Sequence, residues 1–298
     1  MGTGENACSL AVMTYNIEMK RSDDGWADRT LSKVVETITT ANPDVVGLQE
    51  DTDDWYAESS GILGWTKTNH LEGLETAGYT YTNFSSNGDD ERLNIFYKAD
   101  KFNYVTSGRK VFKNLESTVD APDGVDMSRD SQGRMFSYVV LEDKDTGAVV
   151  LIVNTHLHWR KNSSDNGGSN ENALVRQYEA RILRKWLDDM AEDYPNQIVM
   201  GDMNDTPGDT PLLEYTNGEG GFTPAMDGAL LKGDVGNTLV STSSYVERQD
   251  YIFDHVLYRN VVATEYSVID NKIDLVGDVY RYPSDHLPVY SEFICYAE

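Results

Sequence analysis

Ser284-Asp285-His286-Leu287-Pro288-Val289, near the end of the chain, places an acid and an imidazole at the mouth of an apolar run. Upstream, Gly201-Asp202-Met203-Asn204 places an acid and an amide directly after the apolar run 198–200. Strand ends are positions where polar side chains can leave a sheet and converge on a ligand. The two segments therefore predict strands that carry functional groups at one edge of a sheet.

Three further apolar runs finish in the same way. They end at Asn16 and Glu18, at Glu50, and at His156. Five strand-like runs that each finish on a carboxylate, an amide or an imidazole predict one site built from five strand ends. Phosphoester hydrolysis needs a cation to offset phosphoryl charge and an activated water, and this set of groups favours that chemistry.

Each acid and amide in the set suits a particular role. Glu50 is the first choice for a metal ligand, because Mg²⁺ takes few protein carboxylates and keeps several waters. Glu18 and Asp285 are expected to complete or bridge the metal shell. Asp202 and Asn204 are two residues apart, so on an extended strand they face the same side. There the acid can orient and deprotonate water while the amide holds a phosphate oxygen.

Histidines are expected to supply the remaining acid–base chemistry. His286, if protonated, can stabilise the pentavalent phosphate or act as an acid or base. Asp250, in Asp250-Tyr251-Ile252-Phe253, is predicted to hold one nitrogen of His286 and raise its basicity. His158 lies two residues from His156 and faces the same side if the strand continues. His158 and Arg160 are candidates for contact with the substrate.

Length and hydrophobic pattern indicate how the chain is organised. It has 298 residues, 39% of them hydrophobic, with no apolar run near the length of a membrane span. Helical spacing predicts helices at 28–41 and 171–194. Strand-like runs are predicted at 10–17, 44–50, 93–98, 136–142, 148–156, 197–202, 250–258 and 286–295. Two stretches, 114–133 and 157–170, are loop-like, and motif residues lie on both sides of each, so a single domain over 1–298 is expected.

The charge balance bears on the partners of the protein. The chain has 25 basic and 50 acidic residues, a net charge of −25. Such a field repels nucleic acid and anionic surfaces at long range and concentrates divalent cations. Solubility or a salty habitat would explain the same acidity, so a nuclease is not excluded. A phosphorylated small molecule or a phospholipid is the expected substrate, with nucleic acid less favoured.

Two cysteines, Cys8 and Cys295, lie at opposite ends of the chain. If Asn16 and His286 meet in one site, the first and last strands are antiparallel, and paired residue numbers have a near-constant sum. The sum is 302 for Asn16 with His286 and 303 for the cysteines. The cysteines are thus expected to be near neighbours, as free thiols or as a disulfide. A disulfide, and a trimmed N-terminus at Met1-Gly2-Thr3-Gly4, would favour a secreted or periplasmic protein.

The order of these motifs resembles the endonuclease/exonuclease/phosphatase superfamily over essentially the whole chain. The resemblance rests on Asn-Thr-His-Leu at 154–157, Gly-Asp-x-Asn at 201–204 and Ser-Asp-His-x-Pro-Val at 284–289. It implies a deoxyribonuclease-I-like fold of class α+β. That fold is a four-layered α/β/β/α sandwich of two mostly antiparallel sheets flanked by helices.

The resemblance implies roles for individual residues as well. Asn16 would contact the metal or the phosphate. His156 looks like the second histidine of the secreted deoxyribonuclease and sphingomyelinase branches, where it pairs with a glutamate. Glu91 matches the position of that glutamate, and Arg176-Gln177 is similar to the bacterial phosphatase-like branch. The roles that the resemblance implies for Glu50, the motif at 201–204 and His286 agree with those assigned above.

The sequence thus predicts a Mg²⁺-dependent phosphoesterase that acts on a phosphodiester or a phosphomonoester. Mn²⁺ and Ca²⁺ are compatible with the same ligands. Within enzymes, a secreted nonspecific deoxyribonuclease or sphingomyelinase-like phosphodiesterase is the alternative. A non-catalytic, metal-dependent phosphate-binding protein is the alternative of another class. A monomer is expected. His255 is expected to be a structural or surface histidine, and Trp159 either packs or stacks on a base or sugar.

Overall fold

The computed structural model describes residues 7–18, 27–51, 70–82, 93–127, 133–159, 171–241, 246–275 and 279–297. Its strands, in chain order, are β1 (Ala7–Asn16), β2 (Val45–Gln49), β3 (Tyr79–Tyr81), β4 (Ile95–Lys98), β5 (Phe102–Val111), β6 (Met135–Asp143), β7 (Val149–His156), β8 (Gln197–Asp202), β9 (Thr223–Pro224), β10 (Leu231–Lys232), β11 (Asp254–Arg259), β12 (Val262–Val268), β13 (Ile273–Leu275), β14 (Val279–Arg281) and β15 (Val289–Tyr296). The helices are α1 (Ala27–Ala41), α2 (His70–Thr76), α3 (Glu171–Asp189), α4 (Thr210–Thr216) and α5 (Ala225–Gly228), with a 3₁₀ helix at Phe112–Thr118.

Two large sheets contain most of these strands. One has the order β10-β12-β15-β1-β2-β4-β3, and the other has the order β5-β6-β7-β8-β11-β9. The pairs β1–β2, β7–β8 and β10–β12 are parallel. The other neighbouring pairs within the two sheets are antiparallel, so both sheets are mostly antiparallel, as predicted.

Three clusters of buried side chains define the layers. Alternation along β1 sends Leu10 and Val12 into the core between the two sheets and Met13 onto the outer face, against α1. On the other sheet, alternation along β7 sends Ile152 between the sheets and Val153 outward, against α3. The central strands are therefore apolar on both faces, which explains their continuous hydrophobic runs. The result is the predicted α/β/β/α sandwich.

The two predicted helices form close to their expected bounds. In α1, Val34 and Ile38 are four residues apart and both buried, and the helix ends before Pro43. Helix α3 ends at Asp189, five residues before the predicted 194. The Nε2 atom of Gln197 donates to the carbonyl oxygens of Leu187 and Tyr194 at 2.9 Å each. These bonds satisfy carbonyls at the helix end and favour the turn that follows. In the described part of the chain, no helix has the length and apolar character to cross a membrane.

Two long strands, β5 and β12, were not predicted from the sequence. Strand β5 has a register shift between Tyr104 and Thr106, and β12 has one between Ala263 and Glu265. A β-bulge inserts an extra residue and interrupts the alternation of buried and exposed positions. The period-two signal that marks a strand in sequence is therefore lost in both elements.

The predicted pairing of the first and last strands is confirmed. Strand β1 pairs antiparallel with β15, and each pair from Ala7↔Tyr296 to Thr14↔Val289 has a residue-number sum of 303. Cys8 lies directly opposite Cys295. Both thiols are buried and free in this structure.

Candidate functional site

The strand ends predicted to converge do lie together. Strands β1 and β2 of one sheet, and β7 and β8 of the other, end at a common edge of the sandwich. Strands β11 and β15 run in the opposite direction to their neighbours, so their first residues lie at this same edge. The site is thus surrounded by the ends of β1, β2, β7 and β8 and by the starts of β11 and β15.

Asn16 links the two sheets at this edge. Its Nδ2 atom lies 3.2 Å from Oε1 of Glu50 and 3.0 Å from Oδ2 of Asp202. Its Oδ1 atom accepts a hydrogen bond of 2.9 Å from the backbone N–H of Glu18. The Asn16 side chain is fully buried. One amide therefore holds an acid from each sheet in a fixed relation.

Asp202 is the centre of the polar cluster. Its Oδ2 atom lies 3.4 Å from Nε2 of His156 and 3.6 Å from Nε2 of His286. Its Oδ1 atom accepts a 2.9 Å bond from the backbone N–H of Asn204. Burial opposes ionisation of this carboxyl, but His286, His156 and the hydrogen bonds outweigh it and hold the pKa below its usual value. Asp202 is therefore an ionised acid with hydrogen-bond donors and imidazoles around it.

Gly201 explains how the end of β8 reaches this position. A Cβ atom at Gly201 would lie 1.9 Å from the carbonyl oxygen of Thr155 on β7, and the φ of Gly201 is 153°. Only glycine permits the two backbones to approach so closely. The motif glycine therefore sets the separation of the strand ends that carry His156 and Asp202.

The predicted side-by-side placement of Asp202 and Asn204 needs correction. Strand β8 ends at Asp202, and Asn204 has a φ of 52°, so the alternation of an extended strand does not extend to it. The Nδ2 atom of Asn204 donates to the carbonyl oxygen of Leu157 at 3.1 Å. Asn204 thus connects the ends of β7 and β8 and supports Asp202 through its backbone.

The partner of His286 is Asp254, and the predicted pairing with Asp250 is wrong. Nδ1 of His286 lies 2.8 Å from Oδ2 of Asp254, and both side chains are buried. Asp250 is exposed and its Oδ1 atom accepts a 3.3 Å bond from Asn237. The predicted strand 250–258 begins only at Asp254, so Asp250 lies in the irregular segment ahead of the sheet.

Asp254 and His286 shift each other's proton affinity. Burial opposes protonation of His286, but the carboxylates of Asp254 and Asp202 outweigh it and raise the pKa well above its usual value. Burial raises the pKa of the Asp254 carboxyl, and the charge of His286 opposes that shift. Asp254 and His286 therefore form a hydrogen-bonded dyad, and the Nε2 atom of His286 faces Asp202.

Hydrogen bonds of Ser284 and Asp285 connect the segment ahead of β15 to the end of β1. The Ser284 hydroxyl donates to the carbonyl oxygen of Asn16 at 2.8 Å and accepts the His286 N–H at 3.2 Å. The backbone N–H of Asp285 donates to Oε2 of Glu18 at 3.0 Å. The proposed ligands Glu18 and Asp285 are thus neighbours, and Asn16 connects Glu18 to Glu50.

Local backbone conformation sets this site apart. Among the described non-glycine residues, six have positive φ, and three of these are Glu18 (47°), Glu50 (54°) and Asn204 (52°). Such conformations cost about 1 kcal/mol or more each and tend to cluster at functional sites. Each residue follows the end of a strand, where the chain must turn to present polar groups to the edge.

The remaining predicted residues have varied positions. His158 is buried, and its backbone N–H donates to Oε2 of Glu179 on α3 at 2.7 Å. His255 is structural, as predicted, with Nε2 lying 2.8 Å from the carbonyl oxygen of Asp205. Arg160 and Glu91 lie outside the described residues, so their predicted roles stay predictions.

A buried ion pair behind the site was not predicted. Nε of Arg176 on α3 lies 2.8 Å from Oδ2 of Asp205, and both side chains are almost completely buried. Nη1 of Arg176 donates to the carbonyl oxygen of Trp159 at 3.4 Å. Burial and a hydrogen bond that the protonated Asp205 carboxyl donates to Asp209 raise the pKa of Asp205 to about 7, against the effect of Arg176. The sequence signal was a charged residue between Val175 and Tyr178 on the apolar side of a predicted helix.

Three closely spaced ligand atoms in the candidate site can bind either protons or a cation. Among the described residues, one ligand atom each from Asp202, Asp254 and His286 lies within 4.8 Å of the others. Glu50 and Glu18 lie just after β2 and β1 of the first sheet, and Asp285 lies ahead of β15 of the same sheet. The cluster therefore has the chemistry of a centre that moves protons, beside carboxylates that suit a divalent ion.

The family model that describes the endonuclease/exonuclease/phosphatase family matches residues 13–286. The chain belongs to this family. Members of the endonuclease/exonuclease/phosphatase family are hydrolases that act on phosphoester bonds. The matched span includes Asn16, Glu50, Asp202, Asp254 and His286, so all five residues lie within the family domain.

Individual members of the endonuclease/exonuclease/phosphatase family are similar at low identity. The RNA exonuclease NGL1 of Saccharomyces cerevisiae is 22% identical over 95% of this chain and 87% of its own length. A family protein from Bacteroides thetaiotaomicron has a TM-score of 0.74 at 20% identity, covering 97% of this chain and 98% of that one. The mannosyl-6-phosphatase Bt3783 of the same species has a TM-score of 0.70 at 20% identity, covering 95% and 99%. At such identity the solved structures establish the shared fold.

Proposed function

We propose that this protein is a Mg²⁺-dependent phosphoesterase whose substrate is a small phosphorylated molecule or a lipid-like phosphoester. The observation that supports this most directly is the hydrogen-bonded line from Glu50 through Asn16 to Asp202, next to the Asp254–His286 dyad. The line joins a candidate cation ligand on one sheet to a candidate water-orienting acid on the other. Hydrolysis of a phosphoester needs both functions at one phosphorus atom.

Glu50 is the proposed principal ligand of the cation. The Asn16 side chain links Glu50 to the backbone of Glu18, and the backbone of Asp285 bonds to the Glu18 carboxylate, so Glu18 and Asp285 are the proposed sources of further carboxylate oxygens. Oxygen ligands of this kind suit Mg²⁺, and Mn²⁺ or Ca²⁺ also accept them. When bound, the cation would offset negative charge on the phosphoryl oxygens.

The tighter group around Asp202 is better suited to protons than to a cation. The 2.8 Å between Nδ1 of His286 and Oδ2 of Asp254 is a hydrogen-bond distance, and a proton on that line satisfies both atoms. A cation there would need to displace this proton from a buried pair. We therefore place the cation on the Glu50 side and the acid–base chemistry on this dyad.

Each protein group in the proposed reaction has a definite task. The ionised carboxylate of Asp202 would accept a hydrogen bond from water and orient it toward phosphorus. Asp254 holds the Nδ1–H of His286, which directs Nε2 into the site and stabilises a positive imidazolium. That imidazolium would face the charge that develops on the phosphoryl oxygens. His156, 3.4 Å from Asp202, would reinforce the same field.

Charge and one exposed aromatic residue support a small substrate. A net charge of −25 disfavours long polyanions through repulsion at long range. Trp159 lies three residues after His156 and is 43% exposed, so it does not pack into the core. Its ring is available to stack on a sugar or base. Among the similar proteins, one is a mannosyl-6-phosphatase and one an RNA exonuclease, so members of the family act on substrates of both sizes.

A panel of substrates tests this proposal. The purified protein would be assayed with sugar phosphates, nucleotides, a phosphodiester lipid and single-stranded RNA, each with Mg²⁺ and again with chelator. We expect chelator-sensitive turnover, fastest on a small phosphoester. Turnover confined to RNA would replace the small substrate with a nucleic acid, and turnover of the diester lipid alone would favour the sphingomyelinase-like alternative. Hydrolysis unaffected by chelator would contradict the role of the cation.

A further inference from the structure

Cys8 and Cys295 lie side by side at the end of the sandwich opposite the candidate site. Cys8 is near the start of β1, and Asn16 is at its end, eight residues further on. At about 3.3 Å per residue, the cysteine pair is roughly 26 Å from the site. The proposed reaction makes no use of these two side chains.

The strand pairing places both thiols on the same face. Cys8 and Cys295 are direct partners in the antiparallel β1–β15 register, and both belong to the core between the two sheets. Facing residues in an antiparallel pair have Cα atoms about 4.5 or 5.5 Å apart, depending on the type of pair. Both values fall within the range of about 4.4–6.8 Å that disulfides span. A bond between the two sulfur atoms thus requires little backbone movement.

We propose that Cys8 and Cys295 are an oxidation site that closes to a disulfide and joins the first and last strands of the sandwich. The oxidant is a disulfide such as oxidised glutathione. The Cys8 thiolate attacks one sulfur of the oxidant, breaks its S–S bond and releases one thiolate. Cys295 then loses its proton, attacks the mixed disulfide at Cys8 and releases the second thiolate. Two protein thiols are oxidised and one external disulfide is reduced to two thiols.

Cys8 is the better placed of the two to attack first. A hydrogen bond from the Cys295 thiol lowers the pKa of Cys8 and, with a smaller effect of Lys101, outweighs burial and the charge of Asp143, which raise it. That hydrogen bond and burial raise the pKa of Cys295 well above its usual value. Cys8 also retains 5% of its surface exposed, whereas Cys295 retains none. The pair therefore combines an attacking thiol with a resolving thiol.

The bond would restrict the unfolded chain much more than the folded one. It would close a loop that spans residues 8 to 295, almost the entire chain. Disulfides that close long loops remove the most entropy from the unfolded state, and a rise in Tm of about 5–15 °C is expected. Since the pair is distant from the site, hydrolytic activity at low temperature should not change.

The test compares full-length wild type with Cys8→Ser and Cys295→Ser. Each protein would be refolded from denaturant in a mixture of oxidised and reduced glutathione. Glutathione reaches both thiols in the unfolded chain, so their burial in the folded protein does not limit the reaction. Intact mass and peptide mapping then report the bond, and thermal unfolding with and without reductant reports its effect. Wild type is expected to lose two hydrogen atoms, to yield a linked Cys8–Cys295 peptide and to show a Tm that reductant lowers.

Both variants should show a Tm that reductant does not change. Wild type that refolds with two free thiols, or a linked protein with the Tm of the reduced form, would overturn the proposal. These readouts do not depend on hydrolysis, so a failure here leaves the proposed function untouched. The reverse also holds, because loss of the proposed function would not change the mass or the Tm.

Discussion

Nδ1 of His286 lies 2.8 Å from Oδ2 of Asp254, an acid at the first position of strand β11. This contact connects the last motif of the chain to a strand of the other sheet. It fixes the ring of His286 so that Nε2 points at Asp202, 3.6 Å away. The candidate site is therefore held together across the interface between the two sheets.

Asp254→Asn should reduce turnover strongly, whereas Asp250→Asn should not. Replacement of Asp254 removes the charge that holds the Nδ1 proton of His286, and a loss of about 10²- to 10⁴-fold in kcat is expected. Asp250 is exposed and contacts Asn237, so the same change four residues away should alter kcat by less than about twofold. Steady-state kinetics on the preferred phosphoester compares the pair. Equal losses in the two variants would contradict the assignment of Asp254.

Asp202→Ala should separate an enzyme from a binding protein. Since Asp202 is proposed to orient the attacking water, turnover should fall about 10²- to 10⁴-fold while inorganic phosphate still binds. Calorimetry with phosphate and an activity assay supply the two readouts, and circular dichroism confirms the fold. Wild type that binds phosphate but hydrolyses no phosphoester in the panel would instead support the non-catalytic alternative.

Arg176→Met should destabilise the protein, and more so at high pH. Removal of Arg176 leaves the buried carboxylate of Asp205 without its partner, which typically costs about 3–5 kcal/mol. With the pKa of Asp205 at about 7 in the intact pair, the carboxyl is neutral below that pH and charged above it. The pKa rises further in the variant, so the loss of stability should grow as the pH increases above 7.

Urea unfolding of wild type and Arg176→Met at several pH values measures how the loss of stability depends on pH. A second variant, Arg176→Met with Asp205→Asn, is the control, since it removes both charges together. It should recover part of the lost stability and show a smaller pH dependence. A loss for Arg176→Met that is the same at all pH values would show that the ion pair is not the cause.

Gly201→Ala should weaken both stability and activity. The added Cβ would lie 1.9 Å from the carbonyl oxygen of Thr155, so β8 must move away from β7. A loss of about 3 kcal/mol or more is expected, together with a fall in kcat as Asp202 shifts relative to His156. Gly208→Ala is a matched control, because Gly208 also has a positive φ but no atom within 4 Å of its Cβ position. Similar losses for both glycines would point to backbone strain rather than the contact with β7.

The fold was predictable because its central strands are apolar on both faces. Continuous apolar runs such as 149–153 and 198–200 have few alternative placements in a folded domain. The pairing of β1 with β15 followed from two widely separated features, the convergence of Asn16 with His286 and the positions of the cysteines. Strands β5 and β12 were missed because a bulge interrupts the alternation in each.

The geometry of the candidate site was predictable for polar residues next to continuous apolar runs, such as Asp202 and His286, and less so elsewhere. Asp254 begins its strand, and an acid ahead of an apolar run has the same appearance as an ordinary solvated turn residue. Asn204 was placed by strand alternation, but its left-handed backbone ended that pattern. Arg176 stood out as a charged residue on the apolar side of a predicted helix, but its partner Asp205 lies on a distant loop that local sequence does not identify.

The most direct test of the proposed site is Mg²⁺ dependence measured on Glu50→Gln and wild type together. Phosphate release from the preferred substrate would be followed across a titration of Mg²⁺ after chelator treatment. Wild type should be inactive without the ion, and Glu50→Gln should need a Mg²⁺ concentration higher by about tenfold or more for half-maximal rate. Full activity of chelated wild type, or identical Mg²⁺ titrations for the two proteins, would contradict a metal-assisted phosphoesterase centred on Glu50 and Asp202.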